Sequence, residues 1–327
     1  MPSSGRAILW AILWAWALSG LPTPATPAAT PPIAAGNTLK LAAWNMEWLL
    51  TPVTFGTLRQ HCTTDDDARR PVSRSLPCDV AARLERSATD LAALRRYARQ
   101  LDADVIALQE VDGAAAARQV FPDHEFCFTG NTALQNNGFA IRRGLPFRCG
   151  ADLKSLSLGD SVRRGAEVVL FPGSPRAIHL LGVHLKSGCA TDRLDSPDSD
   201  CQRIAEQAAP LRQWVTAQTA AKRRFAVLGD FNRNLLAESR GMQDGLWQRI
   251  NGGPGAAQLS ITAANSHFRN CATGQRYSSY IDYILLGSQL QQQLISGSFE
   301  RMIWSAEDAG RRKLSDHCPI AVRLRLD

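Results

Sequence analysis

The sequence predicts a single layered domain of β-strands and α-helices, and three observations support this. The 327 residues are 45% hydrophobic and 20% charged, a composition that supports a sizeable core and excludes a disordered or collagen-like chain. Apolar runs typical of strands alternate with segments of helical spacing from residue 39 to the end. Neither an internal repeat nor a convincing domain boundary interrupts that pattern. The alternation by itself favours a doubly wound parallel sheet.

Eight strands and two helices follow from the spacing of the apolar residues. The strands are predicted at 39–45, 104–111, 137–142, 165–171, 177–185, 224–230, 279–286 and 319–326. The last of them alternates strictly between apolar and other residues, which indicates a half-buried strand. Apolar residues recur at helical intervals over 79–101, which predicts one helix, and over 204–215, which predicts a second.

The first 36 residues are expected to lie outside the folded domain. Arg6 is the only charge in the first 35 residues, and 7–18 form an apolar run of the length found in signal peptides. We therefore predict a signal peptide over 1–19, cleaved between 19 and 35, and a Pro/Ala-rich linker over 20–36. An uncleaved membrane anchor is the alternative, but the run is short for a bilayer. The domain is then 37–327, in a secreted or periplasmic protein with no membrane insertion after signal removal.

The eight cysteines are expected to form disulfides, because an exported protein meets oxidising conditions. No CxxC pair occurs, which argues against a zinc ribbon. Two pairings would close polar loops: Cys62 with Cys78, and Cys189 with Cys201. Cys127 with Cys149 is a further candidate pair, and Cys271 has no assigned partner. Cys318 opens an apolar strand and is expected to be a buried thiol that stands apart.

Polar residues interrupt or follow the predicted strands in six separate segments. They are Asn45, Glu110, His184, Asp230, Asn232, Asp282, Asp316 and His317. Each has an ordinary explanation when taken singly, since Asn45 suits a turn and His184 suits a core position. Together they indicate one site, because buried carboxylates must be paired or bound to a metal. Oxygen ligands of this kind favour Mg²⁺ or Mn²⁺ over Zn²⁺.

The same segments carry a resemblance to a known superfamily. The ordered motifs WNMEW, LQEV, GVHLKS, GDFN, YIDYIL and SDHCP resemble the endonuclease/exonuclease/phosphatase superfamily from about residue 39 to 326. That group includes pancreatic-type deoxyribonuclease, abasic-site endonucleases, inositol polyphosphate phosphatases and neutral sphingomyelinases. The resemblance implies an α+β fold, a four-layer sandwich of two mainly antiparallel β-sheets packed face to face with helices outside. This architecture replaces the doubly wound parallel sheet that the alternation alone favours.

The resemblance also implies a hydrolase that uses a divalent metal. Glu110 would be the principal metal ligand, with Asn45 and Asp316 beside it. Mg²⁺ is the expected ion, and Mn²⁺ is a possible substitute.

Five residues are expected by resemblance to act on a phosphoester during in-line attack by water. His317, oriented by Asp282, would activate water or bind a phosphate oxygen. Asp230 would orient the nucleophile or protonate the leaving oxygen, and Asn232 would hold the scissile phosphate. His184 would stabilise the charge that develops on the phosphate or the leaving group.

The net charge of +7 favours a polyanionic substrate, so a nuclease acting on DNA or RNA is the leading prediction. Lys186, Arg276 and Lys313 are predicted to bind substrate, since each lies near a strand-end residue. A monomer is expected.

Two other functions stay open at this stage. A lipid or small-molecule phosphodiesterase, such as a sphingomyelinase, would need an exposed apolar loop, for which Trp48, Leu49, Leu50 and Phe55 are the nearest candidates. A binding protein with a dead site is the other, but no matched position carries an apolar replacement.

Two acidic loops raise the possibility of a structural Ca²⁺. Their acids are Asp65, Asp66, Asp67, Asp192, Asp195, Asp198 and Asp200. The spacing lacks the glycine and terminal glutamate of an EF-hand, so a solvated acidic surface is the alternative.

Overall fold

Twelve strands and nine helices form the part of the chain that the structure, a computed structural model, describes. That part comprises Met1 and residues 38–65, 73–241, 244–251, 259–272 and 275–326. Apart from Met1, the predicted signal peptide and linker lie outside it. The strands are β1 Thr38–Leu49, β2 Val105–Val111, β3 His124–Phe128, β4 Asn136–Arg142, β5 Phe147–Cys149, β6 Ala166–Leu170, β7 Ile178–His184, β8 Arg224–Asp230, β9 Ser260–Ile261, β10 Asp282–Leu286, β11 Glu300–Arg301 and β12 Ile320–Arg325.

The helices are distributed along the chain between these strands. They are α1 Pro52–Arg59, α2 Cys78–Arg83, α3 Ala88–Leu101, α4 Gly113–Arg118, α5 Ser199–Ala220, α6 Leu235–Ser239, α7 Leu246–Asn251, α8 Ser288–Gln291 and α9 Ala306–Arg311. A 3₁₀ helix spans Lys154–Ser157. No helix of the described residues is both long and apolar enough to cross a membrane.

The strands form two six-stranded sheets with similar connectivity. The first has the order β11-β12-β1-β2-β4-β3 and the second the order β5-β6-β7-β8-β10-β9. In the first sheet only β1 and β2 are parallel neighbours. In the second only β7 and β8 are parallel. The mainly antiparallel sandwich implied by the resemblance is confirmed, and the doubly wound parallel sheet is wrong.

The central strands are apolar on both faces because each face is covered. In β1, Leu41 and Ala43 belong to the core between the sheets, while Ala42 and Trp44 belong to the core beneath α3. The α5 helix covers the outer face of the second sheet in the same way. This double covering explains why the strands read as continuous apolar runs. It also produces four layers, helix, sheet, sheet and helix.

The helix predicted over 79–101 is two helices, α2 and α3, separated by Leu84–Ser87. Ser87 forms a capping box with Asp90, which starts α3 afresh. Four short strands, β3, β5, β9 and β11, were not predicted. Three of them have only two or three residues, too few to show a period-2 pattern, and β3 begins with His124 and Glu125 and so lacks an apolar run.

All eight cysteines are paired. The bridges are Cys62–Cys78, Cys127–Cys149, Cys189–Cys201 and Cys271–Cys318. The expectation that Cys318 is a thiol standing apart is therefore wrong. Its partner Cys271 follows no recognisable strand or helix, so the local sequence pattern offered no means of pairing the two.

Candidate active site

The strand register brings the predicted site residues to one end of the sandwich. In the parallel pair β1 and β2, Asn45 lies opposite Gln109, next to Glu110. In the parallel pair β7 and β8, His184 lies opposite Asp230. Asp230 in turn lies opposite Asp282 on β10. Parallel neighbours end at the same edge of a sheet, so polar residues that end them gather there.

One carboxylate oxygen, Oδ2 of Asp230, is the centre of this group. Nδ2 of Asn45 donates to it at 3.0 Å, and Nε2 of His184 lies 3.4 Å away. Nε2 of His317 lies 3.8 Å away. The other oxygen, Oδ1, accepts a hydrogen bond of 2.8 Å from the backbone N–H of Asn232. The residues come from β1, β7, β8 and the segment before β12, so the fold and not local sequence assembles the group.

Burial determines the protonation states of Asp230 and His184. Asp230 is buried, and burial together with the neighbouring Asp282 carboxylate raises its pKa to about 7 against the opposing effect of His317. Burial and the positive charge of Arg163 lower the pKa of His184 well below its ordinary value. Asp230 is therefore able to gain or lose a proton near neutral pH, while His184 is held neutral.

His317 and Asp282 form a hydrogen-bonded pair, the contact that the family resemblance implied. Nδ1 of His317 lies 2.8 Å from Oδ2 of Asp282, and both residues are buried. Burial disfavours the imidazolium, but the carboxylates of Asp282 and Asp230 outweigh it and raise the pKa of His317 well above its ordinary value. Ser315 fixes the segment, since its hydroxyl donates to the Asn45 carbonyl at 2.7 Å and accepts from the His317 N–H at 3.1 Å.

Glu110 is half-buried at the end of β2, in a left-handed conformation with φ of 58°. Its carboxylate accepts hydrogen bonds of 3.1 Å from Asn45 and 2.8 Å from Gln135. Positive φ is uncommon for a residue other than glycine and is frequently found at functional sites. Glu110 is thus held at the edge of the sheet by two amides.

Asp316 and Glu47 form a second pair of acids next to this group. The N–H of Asp316 donates to Oε2 of Glu47 at 3.0 Å, and Oε1 of Glu47 accepts from Arg83 at 2.5 Å. Burial raises the pKa of Asp316, and the Glu110 carboxylate adds to this effect while His317 opposes it. Asp316 is therefore close enough to Glu110 to interact with it electrostatically.

Arg86 ties the segments that carry these acids together. Its guanidinium donates to the carbonyls of Met46, Glu47 and Trp48, and to those of Lys313 and Leu314. Five carbonyl partners fix the chain after Asn45 against the chain before Asp316. The sequence analysis did not identify this residue, because a lone arginine between two helices carries no local signal.

The donor set fits a divalent cation. Carboxylate oxygens of Asp230 and Asp282 lie within 4.8 Å of each other beside the His317 imidazole, and Oδ1 of Asp282 is buried without a hydrogen-bond partner. Glu110 and Asp316 add further carboxylates beside this group. Carboxylate oxygens in such number suit a hard cation. The predicted ligands Asn45, Glu110 and Asp316 lie in the same site, although Asn45 turns its amide nitrogen toward the carboxylates of Glu110 and Asp230.

Arg163 is a buried cation at this site that the sequence analysis did not single out. It is 8% exposed, donates to Oε1 of Gln135, and pairs with no carboxylate within the described ranges. Its Nε has no hydrogen-bond partner. Its neighbour Arg164 instead pairs with Asp160 and Asp152. The sequence shows only an Arg-Arg pair, and nothing local distinguishes its two members.

A cavity of about 940 Å³ opens above these residues. Glu110, Arg163, Asn232, Asp316 and His317 line it, and Tyr277 forms part of its wall. Its cationic lining residues are Arg83, Arg163, Arg276, Arg312 and Lys313.

Of the three predicted substrate-binding residues, Arg276 and Lys313 line this cavity. Lys186 instead pairs with Asp200 at 2.8 Å and donates to the Ser187 carbonyl.

The apolar loop considered for a lipid enzyme is not exposed. All four residues, Trp48, Leu49, Leu50 and Phe55, are buried. Trp48, Leu50 and Phe55 pack in a small cluster with residues of α2, whereas Leu49 packs in the core beneath α3. Val53 nearby is strongly exposed. These residues therefore do not form the exposed apolar loop that a lipid enzyme would need.

Three of the four acids in one proposed calcium loop already have protein partners. Asp198 caps α5 through the N–H groups of Asp200 and Cys201, Asp200 pairs with Lys186, and Asp195 pairs with Arg193. Asp66 and Asp67 of the other loop lie outside the described residues. A structural Ca²⁺ stays a prediction.

Solved structures share this fold at low sequence identity. An endonuclease/exonuclease/phosphatase from Bacteroides vulgatus aligns with a TM-score of 0.53 and 13% identity, over 89% of this chain and 99% of its own. The 3′ phosphatase NExo from Neisseria, bound to a product DNA hairpin, aligns with a TM-score of 0.53 and 15% identity, over 88% and 99%. D. rerio TDP2 complexed with a single-strand DNA product aligns with a TM-score of 0.52 and 16% identity, over 88% of this chain and 98% of its own.

Sequence comparison identifies the family. A search of curated proteins finds no match to this sequence. The model of the Endonuclease/Exonuclease/phosphatase family matches residues 42–317, which include every residue of the site from Asn45 to His317. This chain therefore belongs to the endonuclease/exonuclease/phosphatase family, a family of phosphoric ester hydrolases.

Proposed function

We propose that this protein is an exported, divalent-metal-dependent nuclease that hydrolyses phosphodiester bonds of DNA or RNA. The observation that carries the proposal is the convergence of Asn45, His184 and His317 on one oxygen of the buried Asp230 carboxylate. A carboxylate with a pKa of about 7 is matched to proton transfer near neutral pH.

In the proposed reaction, Asp230 takes a proton from the attacking water. The water oxygen forms a bond to phosphorus as the bond to the leaving oxygen breaks in line with it, and the leaving oxygen takes up a proton from solvent. The N–H of Asn232 holds the other oxygen of Asp230 and so orients the base. Asp282 holds the His317 imidazolium, which donates to a phosphate oxygen together with the guanidinium of Arg163.

Asn45, Glu110 and Asp316 are the proposed ligands of Mg²⁺, with Mn²⁺ as a substitute. When bound, the ion supplies positive charge to the phosphate and the leaving oxygen. The abundance of carboxylates in the site supports a hard cation of this kind.

A nucleic acid is favoured as substrate by the charges around the cavity. Four cations besides Arg163 line it, namely Arg83, Arg276, Arg312 and Lys313. Positive charge of this kind draws in a polyanion and contacts its phosphates. Two fold neighbours, NExo and D. rerio TDP2, are described with DNA products. Trp48 and its neighbours are buried, whereas a lipid enzyme would need them exposed.

Export is proposed from the apolar N-terminal run and the four disulfides. Bridges of this number persist in oxidising compartments and are rare in reducing ones.

The proposal is tested by one substrate panel with the purified protein. Supercoiled plasmid, single-stranded RNA, an inositol phosphate and sphingomyelin liposomes are each incubated with Mg²⁺, Mn²⁺ or EDTA. Cleavage of plasmid or RNA that EDTA abolishes is the expected result. Release of phosphocholine or inorganic phosphate without nucleic-acid cleavage would overturn the nuclease assignment.

Asp230→Asn and Glu110→Gln are the diagnostic variants. Loss of general base catalysis reduces the rate by about 10²–10⁴-fold, so Asp230→Asn should lower kcat by that order. Asp195→Asn is the control, because Asp195 is an exposed acid that pairs with Arg193 away from the site and should retain wild-type kcat. Wild-type turnover by a folded Asp230→Asn protein would contradict the mechanism.

A further inference from the structure

Tyr277 covers the face of the His317 imidazole. The two ring centroids are 4.9 Å apart with an interplanar angle of 38°. The hydroxyl of Tyr277 also donates to the Asp316 carbonyl at 3.2 Å. Asp282 holds only the edge of the imidazole, at Nδ1, so the hydrogen bond alone leaves the ring free to tilt about it.

The guanidinium of Arg301 holds Tyr277 in place. Arg301 on β11 lies over three aromatic rings, 4.4 Å from the centroid of Phe268, 5.5 Å from that of Tyr280 and 5.9 Å from that of Tyr277. Among the described residues it pairs with no carboxylate. Its guanidinium reaches the Tyr277 hydroxyl at 3.5 Å and Oε1 of Gln275 at 3.4 Å. The rings therefore provide the electrostatic partner that a half-buried arginine needs.

A disulfide joins this aromatic group to the catalytic segment. Cys271 lies in the segment of Phe268, its N–H donates to Gln275 at 3.0 Å, and Gln275 donates to the Tyr277 carbonyl at 2.6 Å. Its partner Cys318 directly follows His317. The bond thus fixes the backbone of His317 to the segments that present the Tyr277 ring.

We infer that Tyr277 is a positioning residue for His317, and that Arg301 and the Cys271–Cys318 bridge hold Tyr277 against the imidazole. The inference rests on the proposed function of His317 as the group that contacts the phosphate. Tyr277 restricts the tilt of the ring while Asp282 fixes its Nδ1 edge, so Nε2 stays directed toward Asp230 and the cavity. Misplacement of a reacting group by about 1 Å can cost about 10²-fold in rate.

The alternative role for Tyr277 is stacking on a nucleobase, because its ring also lines the cavity. The two roles predict different results with a diester that has no base. If Tyr277 stacks on a base, its loss should affect only nucleic-acid substrates and should mainly raise KM. A positioning residue lowers kcat on every substrate that His317 serves.

The test compares Tyr277→Leu with Tyr277→Phe on an oligonucleotide and on bis(p-nitrophenyl) phosphate. Tyr277→Leu should lower kcat by about 10–100-fold on both substrates with KM within about twofold. Tyr277→Phe keeps the ring and should stay within about threefold of wild type. A loss confined to the oligonucleotide, or one that appears in KM alone, would overturn the inference and assign base stacking.

The bridge is tested with a matched pair of double variants. Cys271→Ala/Cys318→Ala should lower kcat on both substrates by about 10-fold, whereas Cys127→Ala/Cys149→Ala should leave it unchanged. An equal effect of the two pairs on kcat would show that the first bridge acts on general stability only.

A crystal structure of the Tyr277→Leu variant gives a readout that does not depend on activity. The imidazole of His317 should tilt about its hydrogen bond to Asp282 or occupy more than one orientation. An imidazole that keeps its single orientation would overturn the inference, even if no substrate of the wild-type protein had been found. Failure of the wild-type protein on every diester would instead overturn the proposed function.

Discussion

Arg163 is an arginine whose charge is buried beside the site without a carboxylate partner among the described residues. Burial of an unpaired cation is costly, and here it lowers the pKa of the guanidinium, although Glu110 and Asp230 oppose that effect. An anion in the cavity would offset the cost. A phosphate carries that charge and matches the planar guanidinium geometrically.

We therefore expect Arg163→Met to reduce kcat by about 10²–10³-fold, the usual cost of removing one donor to transition-state charge. Arg163→Lys should recover only part of this, because an ammonium cannot reproduce the paired geometry. Arg164→Lys is the control, since Arg164 pairs with Asp160 and Asp152. Steady-state kinetics on an oligonucleotide measure the effect, and an Arg163→Met enzyme with normal kcat would contradict it.

Among individual residues, the sequence analysis identified those that interrupt or end strands. Asp230, Asp282 and His317 stand out because acids and histidine break apolar runs. Gln135 and Arg163 lie before or between strands, where polar residues are ordinary. Their positions depend on long-range packing that local sequence does not encode.

Among the elements, the break between α2 and α3 matters most for the site. Apolar spacing predicts one helix over 79–101, and the capping box at Ser87 divides it. The break allows Arg86 to donate to carbonyls of two segments that carry site residues. Helical periodicity continues across the break, which is why spacing alone did not reveal it.

Ser87→Ala should lower the free energy of unfolding by about 0.5–2 kcal/mol at pH 7. The loss of unfolding free energy caused by Ser87→Ala should be smaller at pH 3 than at pH 7. Burial raises the pKa of Asp90, but hydrogen bonds from Ser87 outweigh it, and the pKa is lowered from 3.8. The stability that a lowered pKa contributes is present above the unfolded value and is lost as pH falls through the folded one. Urea unfolding at both pH values measures this, and an equal cost at the two would contradict it.

Across the whole molecule, the two sheets repeat one arrangement, with a single parallel pair at the centre of each. Spacing predicted most long strands but not their directions, since an apolar run looks the same in a parallel or antiparallel pair. The ordered motifs supplied the architecture through resemblance. The pairing of Cys271 with Cys318 came only from the fold.

The Cys127–Cys149 bridge connects β3 and β5, the edge strands of different sheets. Replacing both cysteines with alanine should lower the free energy of unfolding by about 2–4 kcal/mol. The kcat of the folded protein should not change, because neither residue lines the cavity. Denaturant titration and kinetics on the same preparation measure both quantities, and a lowered kcat in the fully folded variant would contradict this separation.

The bridge beside His317 has a consequence for when the enzyme becomes active. Its two cysteines lie 47 positions apart in the chain, so the bond can form only after Cys318, which lies just before the last strand, has been synthesised and the two thiols have been oxidised. The cytoplasm keeps thiols reduced. On the proposed export, we expect the newly made chain to remain slow beside the genome and transcripts of its own cell. It would reach full speed only after leaving them, so the producing cell would meet the enzyme at about a tenth of its final rate.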